Sequence, residues 1–376
     1  MPKTILILTQ TGDEHAYAVA EGLRRKGAEP LLWHTGDFPT CGSETLVFEE
    51  GRRQVKINGV DINFPNSDET VDTVWRRRPT FVLRNTALHS ADRKFAEVEC
   101  SVFRRSLLEV LSPGAFWVNP STLAMRAESK PLQHYIAIKA GFRVPDTLYG
   151  NDPAEIRRFL RRHGGRIVYK PFRGTSWRNE ASTWVPYTAT LTEENLVGDE
   201  VLRATPGIFQ ALVPKAFELR VTVIGHQVFA AKILSQATTK GRLDWRKSYD
   251  ELVIEEARLP DEVKDKCLRV MDLLGLVFGC FDIVVTPDEE YVFLEVNEMG
   301  QFLFVEHYAG LPLLDAFCEF LLQGRSDFEW NESTAKLRYA DIEEYARQCS
   351  AQAATVHVQS PDDSSWEGAS IAPSTE

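Results

Sequence analysis

Three oxygen-bearing side chains late in the chain, Asp282, Glu295 and Asn297, have the types and spacing to hold a hard divalent cation. They lie in two alternating apolar runs, 280–285 and 291–297, separated by Thr286, Pro287, Asp288, Glu289 and Glu290. A two-residue turn at Asp288 and Glu289 would set Asp282 directly opposite Glu295. Asn297, two residues on, would share that face, and so would Phe293. The other face would carry Phe281, Ile283, Val285, Val292, Leu294 and Val296 as a core pattern. Facing carboxylates repel unless a cation or proton lies between them. Two carboxylates and an amide oxygen suit magnesium, which takes its remaining ligands from phosphate and water. The competing reading is the solvated outer face of an edge hairpin.

A second group of residues has the chemistry to hold a nucleotide. Lys170 ends an apolar strand and leads into a loop containing Gly174, Thr175 and Ser176, where an ammonium and backbone N–H groups could meet phosphates. Lys130 lies on a helix upstream. Gln210, Ala211, Leu212 and Val213 form an apolar extended segment whose backbone could read an adenine edge. Glu218 and Arg220 then stand two apart on one strand face. Glu218 could accept ribose hydroxyls, and Arg220 could brace a phosphate or acyl phosphate. Taken singly, each of these is ordinary loop or surface chemistry.

The elements that must position these residues read as α/β throughout. Residues 4–9 form a buried strand, followed by a helix near 15–26 and a strand at 30–34, a βαβ opening. Residues 46–64 read as a hairpin turning at Asn58-Gly59, and 91–111 as a helix. One helix is expected over 121–140, with Gly141 as its cap. Strands follow at 167–170 and 208–213, then a hairpin of 219–224 with 228–233 about Gly225. Helices at 261–274 and 313–323 flank the metal hairpin. Residues 334–349 read as a last helix with Leu337, Ile342 and Tyr345 on one side, and the Ser/Ala/Asp/Pro-rich tail from about 350 as disordered.

The 376 residues suffice for two or three domains. A net charge of -11 argues against general nucleic-acid binding, which needs a basic surface. The six cysteines are scattered without zinc spacing, and the apolar run at the N-terminus is too short for a membrane helix. A cytoplasmic protein with no membrane partner is expected.

Ordered along the chain, Lys130, Lys170 with its glycine loop, the 210–213 segment, Glu218 with Arg220, and Asp282 with Glu295 and Asn297 resemble the ATP-grasp superfamily. More narrowly, the chain resembles the microviridin-type peptide maturases, or graspetide synthetases. The stretches that carry this resemblance are 74–78, 119–130, 141–147, 213–225, 244–246 and 281–288. It implies a Rossmann-like pre-ATP-grasp domain over 1–120. A bilobal ATP-grasp core would follow, with its first lobe at 121–207, its second at 208–325 and an extension at 326–376. It implies ATP and Mg2+ as cofactors, with Lys130 and Lys170 on phosphates, Gln210, Ala211, Leu212 and Val213 on adenine, and Arg220 on the acyl-phosphate charge. The reaction would join a side-chain carboxylate to a hydroxyl or amine of the same precursor peptide. Arg76, Arg77, Arg78, Asp244, Trp245 and Arg246 could recognise an acidic leader or core, and a homodimer is a family-based expectation. The chain departs from the family's usual pattern at 298–301, where Pro is common, and at Gln210, where an acid is common. Two other readings stay open: a ligase that adds a free amino acid, and a non-catalytic nucleotide-binding partner protein.

Overall fold

The computed structural model describes residues 2–62, 71–81, 83, 88–172, 177–178, 183–184, 188–237, 241, 243–246, 251 and 253–359. The chain opens with β1 (Thr4–Thr9), α1 (Glu14–Arg25) and β2 (Glu29–His34). A meander of β3 (Glu44–Glu49), β4 (Arg52–Ile57) and β5 (Val60–Asp61) follows. Then come β6 (Val71–Arg76), α2 (Arg93–Val110) and β7 (Phe116–Val118). Strands β2-β1-β6-β7 form a sheet in that order, and every pairing in it is parallel. Ile5, Leu6, Ile7 and Leu8 are all buried, as a parallel strand covered on both faces requires. The main hairpin of the meander turns at Glu50-Gly51. Asn58-Gly59, expected as that turn, instead joins β4 to the short β5, and both pairs have positive φ.

The expected helix over 121–140 is two helices, α3 (Ser121–Ala127) and α4 (Lys130–Lys139). Pro131 explains the break. It has no N–H to give a continuing helix, yet it fits the first turn of a new one. Next come β8 (Thr147–Gly150), α5 (Pro153–Arg162), β9 (Arg166–Lys170), a ribbon of β10 (Trp177–Arg178) with β11 (Thr183–Trp184), β12 (Ala189–Thr192), α6 (Asp199–Ala204) and β13 (Gly207–Ala211). Strands β12-β9-β13-β8 make an antiparallel sheet. β13 ends at Ala211, so Leu212 and Val213 lie beyond the strand expected to contain them.

A third sheet, β16-β15-β14-β17-β18, is built from β14 (Phe217–Ile224), β15 (Gln227–Ile233), β16 (Ile254–Glu256), β17 (Phe278–Val285) and β18 (Tyr291–Asn297). Helix α7 (Asp261–Leu274) precedes β17, and α8 (Leu303–Ala309) and α9 (Leu313–Gln323) follow β18. One face of this sheet packs Leu219, Val221, Val223, Phe281, Ile283, Val285 and Val296 against α4 and α7. A second core joins Ile5, Ile7 and Trp75 of the N-terminal sheet to Phe278, Phe302, Phe317 and Phe320. Helix α1 packs against α9, where a Cβ at Gly22 would stand 2.8 Å from the Cys318 sulfur.

The C-terminal expectation is corrected. The last helix, α10, spans Glu343–Val356 and packs on α1, so order extends past residue 350. Its apolar contacts supply the reason: Ala346 and Ala353 are buried, while Tyr345, expected to face the core, is exposed. Leu337 is buried in the segment before the helix. His357 then stacks on His34 with ring centroids 3.6 Å apart, and both His357 Nδ1 and the Val358 N–H contact Asp37. Among the described residues, no helix is long and apolar enough to cross a membrane.

Candidate active site

Three charged side chains lie in one row across the third sheet. Arg220 of β14 pairs with Asp282 of β17, which pairs with Glu295 of β18. The route to that last pairing differs from the expected one. Val285 pairs with Tyr291, so the connection is the longer loop 286–290, and a bulge at Leu294 restores the register before Glu295. The bulge also switches faces on one side of it. Phe293 lies fully buried in the apolar core, Leu294 is only partly buried, and Val292 is opposite Val284 rather than beside Phe281.

Each carboxylate has its own cation. Arg220 Nη1 donates to Asp282 Oδ1 at 2.9 Å, and Lys130 Nζ stands 2.6 Å from Glu295 Oε2. Lys130 reaches Glu295 because α4 begins at that lysine and is fastened to β18 by Gln133. The Gln133 amide donates to the Val296 carbonyl at 2.8 Å and accepts from the Val296 N–H at 3.1 Å. One residue on, His134 contacts the Leu294 carbonyl and the Tyr149 hydroxyl. The Lys130 ammonium holds the Glu295 carboxyl well below the usual carboxylate range. Burial, together with the Glu295 charge, pushes Asp282 up despite Arg220. Burial works against the Lys130 ammonium, yet Glu295 beside it keeps its pKa raised.

Asn297 completes this face. Its amide lies 3.3 Å from Glu295 Oε1 and 3.5 Å from Asp282 Oδ2. Among the described residues, no group of three or more His, Cys, Asp or Glu side chains could hold a metal. The candidate set is two carboxylates and an amide, whose oxygen an amide rotation would present. These are hard donors that leave positions for phosphate oxygens, so they fit magnesium. Directly after Asn297 the loop 298–302 turns over β17. The Gln301 carbonyl accepts from Arg220 Nη2 at 2.8 Å, and a Cβ on Gly300 would come within 2.4 Å of the Cys280 Cβ.

The nucleotide candidates divide between two sheets. On β9, Lys170 Nζ donates to Gln210 Oε1 at 3.0 Å, and Gln210 Nε2 donates to the Thr147 hydroxyl at 3.1 Å. Burial lowers the Lys170 pKa, and Glu295 only partly offsets this. Gln210 is buried, Ala211 partly buried and Leu212 exposed, so the segment emerges from the sheet as it runs toward Val213. Gly174, Thr175 and Ser176 lie outside the described residues. Glu218 is buried on the Arg220 face; burial raises its pKa, against Lys215 at 3.1 Å. Lys215 was not singled out in the sequence.

The expected peptide contacts are largely engaged within the chain. Arg77 is fully buried, ion-paired with Asp13 at 3.0 Å and bonded to the Met299 carbonyl. Arg76 is buried beside Met299 and Glu128. Arg246 pairs with Asp244 at 2.6 Å but is itself half exposed, and Trp245 stacks on Phe304. Sequence reasoning missed Asp13, His15 and Asn119, whose bonds to Arg77, to Phe302 and Leu303, and to Phe278 and Glu298 each span more than 60 residues. Asn119 donates to the Phe278 and Glu298 carbonyls and accepts from the N–H groups of Val277 and Phe278. The only signal for His15 was its position just after the first strand.

No family model matches this chain, and no curated protein does. Solved structures match over nearly their full length. The macrocyclase MdnC of Microcystis aeruginosa MRC, solved with precursor peptide MdnA, is 28% identical over 85% of this chain and 99% of its own, with a TM-score of 0.74. Macrocyclase MdnB of the same organism is 31% identical with the same coverage and a TM-score of 0.70. The ATP-grasp ligase PsnB, solved with a phosphomimetic variant of its minimal precursor, Mg and ADP, is 27% identical over 86% of this chain and 99% of its own, at a TM-score of 0.66. With 31% identity across 99% of MdnB, this chain belongs to the ATP-grasp ligases of the macrocyclase kind, the graspetide maturases.

Proposed function

We propose that this protein uses Mg-ATP to close ester or amide links between side chains of a ribosomally made precursor peptide. The observation that carries the reading is the row Arg220–Asp282–Glu295, with Lys130 seated on Glu295. Similar ligases solved with ADP, Mg and precursor peptides support the cofactor and the substrate class. In this reading residues 1–120 form the pre-ATP-grasp domain, 121–207 and 208–325 the two lobes that enclose the nucleotide, and 326–376 an extension. The protein acts in the cytoplasm, where ATP is supplied.

Asp282, Glu295 and Asn297 would hold Mg2+, which would supply positive charge against that of the nucleotide phosphates. Lys130 and Lys170 meet the phosphates, together with the loop of Gly174, Thr175 and Ser176. Gln210, Ala211, Leu212 and Val213 line the adenine, and Glu218 accepts from the ribose. A peptide carboxylate attacks the γ-phosphorus, ADP departs and an acyl phosphate forms. Arg220 steadies its charge in a site shielded from water. A hydroxyl or amine of the same peptide attacks the acyl carbon and phosphate leaves, so the peptide loses the atoms of one water. Arg246, half exposed, is the arginine placed to contact an acidic peptide, whereas Arg76 is buried.

The test is to trap the activated carboxylate. With Mg-ATP, precursor peptide and hydroxylamine, a peptide hydroxamate and one ADP per hydroxamate are expected. ADP release that yields no hydroxamate and no cyclised peptide would contradict the reading.

A further inference from the structure

We propose that His15 of the N-terminal domain is a positioning residue for the ligase reaction, holding the loop 298–302 so that Arg220 faces the acyl phosphate; this rests on the function proposed above. His15 Nε2 accepts from the backbone N–H groups of both Phe302 and Leu303, each at 3.1 Å. A ring nitrogen that accepts two hydrogen bonds carries no proton, so the imidazole is neutral with its hydrogen on Nδ1. That nitrogen lies 3.9 Å from Asp13 Oδ1, on the carboxylate that Arg77 clamps. The ring also meets Phe302 edge to face at 5.3 Å. Burial, reinforced by Arg77, Arg78 and Arg220, favours this neutral form.

The loop is thus fixed at both ends and in the middle. At its start the Gly300 N–H bonds back to the Asn297 carbonyl at 3.1 Å. In the middle the Gln301 carbonyl takes Arg220 Nη2 at 2.8 Å, with Gly300 close beneath that guanidinium. At its end His15 takes the two N–H groups that open α8. Removing the acceptor leaves two buried donors unpaired, and the loop must move to solvate them. Its movement withdraws the Gln301 carbonyl and lets the Arg220 guanidinium turn away from its place beside Asp282. His15 bonds to the loop backbone and faces Asp13 rather than the candidate nucleotide residues Lys130, Lys170, Gln210 and Glu218, so nucleotide affinity should not follow. The support behind His15 is rigid, because α1 is packed between α9 and α10.

The experiment compares His15→Ala with His15→Gln, whose side-chain carbonyl can accept the same two donors. For His15→Ala we expect kcat for peptide cyclisation to fall about 10- to 100-fold, as for other residues that orient a reacting group through a neighbour. The KM for ATP should stay within about twofold, the signature of an interaction outside uniform nucleotide binding. His15→Gln should recover most of the loss. Amide exchange over 298–305 should quicken in the Ala variant and return toward wild type in the Gln variant. A wild-type kcat in His15→Ala, or a folded Gln variant no better than Ala, would overturn the proposal. So would unchanged exchange in His15→Ala, whatever reaction the enzyme catalyses. If the wild type itself forms no cyclised product, the function proposed above fails, and the exchange comparison still decides the loop contact.

Discussion

Replacing Glu295 with Gln keeps the side chain's shape and removes one charge from a balanced set. Lys130 and Arg220 face Glu295 and Asp282 as two ion pairs, at 2.6 and 2.9 Å. In Glu295→Gln two cations face one carboxylate, so the set changes from neutral to net positive and no longer favours a dication. Losing one hydrogen bond to a charged group costs about 1.5–3 kcal/mol, or roughly 10- to 100-fold in Mg-ATP affinity. The fold should suffer much less. The Lys130 and Glu295 side chains are 22% and 33% exposed, so solvent screening leaves a stability loss of about 1 kcal/mol or below. The pH dependence has a definite sign. Lys130 depresses the Glu295 pKa, so the pair stabilises the fold above the unfolded glutamate pKa of about 4.3, and that contribution drains as pH falls toward the folded value. Thermal melts with and without Mg-ATP at neutral pH, repeated down the acid range, read both effects. We expect a small drop without nucleotide, a gap that closes in acid, and loss of the stabilisation that Mg-ATP gives the wild type. A Gln variant that keeps full Mg-ATP stabilisation and normal ADP release would refute the metal assignment.

Gly300→Ala places a methyl 2.4 Å from the Cys280 Cβ and 3.0 Å from Arg220 Nη2. It should cost about 1–3 kcal/mol of stability and lower kcat, measured by melting and product formation; a wild-type kcat would count against the role of the loop. Lys170→Met removes an ammonium that burial already disfavours, so the melting temperature should hold or rise. The KM for ATP should increase by about tenfold, the loss of one charge-assisted contact, and an unchanged KM would remove Lys170 from the phosphate site. His357→Ala breaks the stack on His34 and the contact with Asp37. Amide exchange over 350–359 should quicken while kcat stays at the wild-type value; slow exchange would mean the segment is held by α10 alone.

Much of the fold could be read from local pattern because the chain's alternation is clean. The bounds of α7 and α9 match their apolar periodicity, and β1 was legible as a buried strand. The facing of Asp282 and Glu295 was reached by counting from a tight turn, although the structure reaches it through a longer loop and a bulge at Leu294. A one-residue bulge leaves no mark in an alternating run, so Phe293 and Leu294 were assigned to the wrong faces. Pro131 carried the break between α3 and α4 in plain sight, but periodicity on either side masked it. The end of the chain was misjudged for a different reason. A small residue such as Ala353 looks like disorder in composition, and only packing of α10 on α1 makes it core. Gln133 and His15 act through backbone groups 163 and 287 residues away, and no local spacing can encode such a partner.

Macrocyclisation is read most directly from the mass of a precursor peptide after incubation with the enzyme and Mg-ATP. The peptide should lose one water mass for each link closed, in step with ADP formed, and should lose none with Glu295→Gln. A gain of amino-acid mass, or an unchanged peptide beside continuing ADP release, would contradict macrocyclisation.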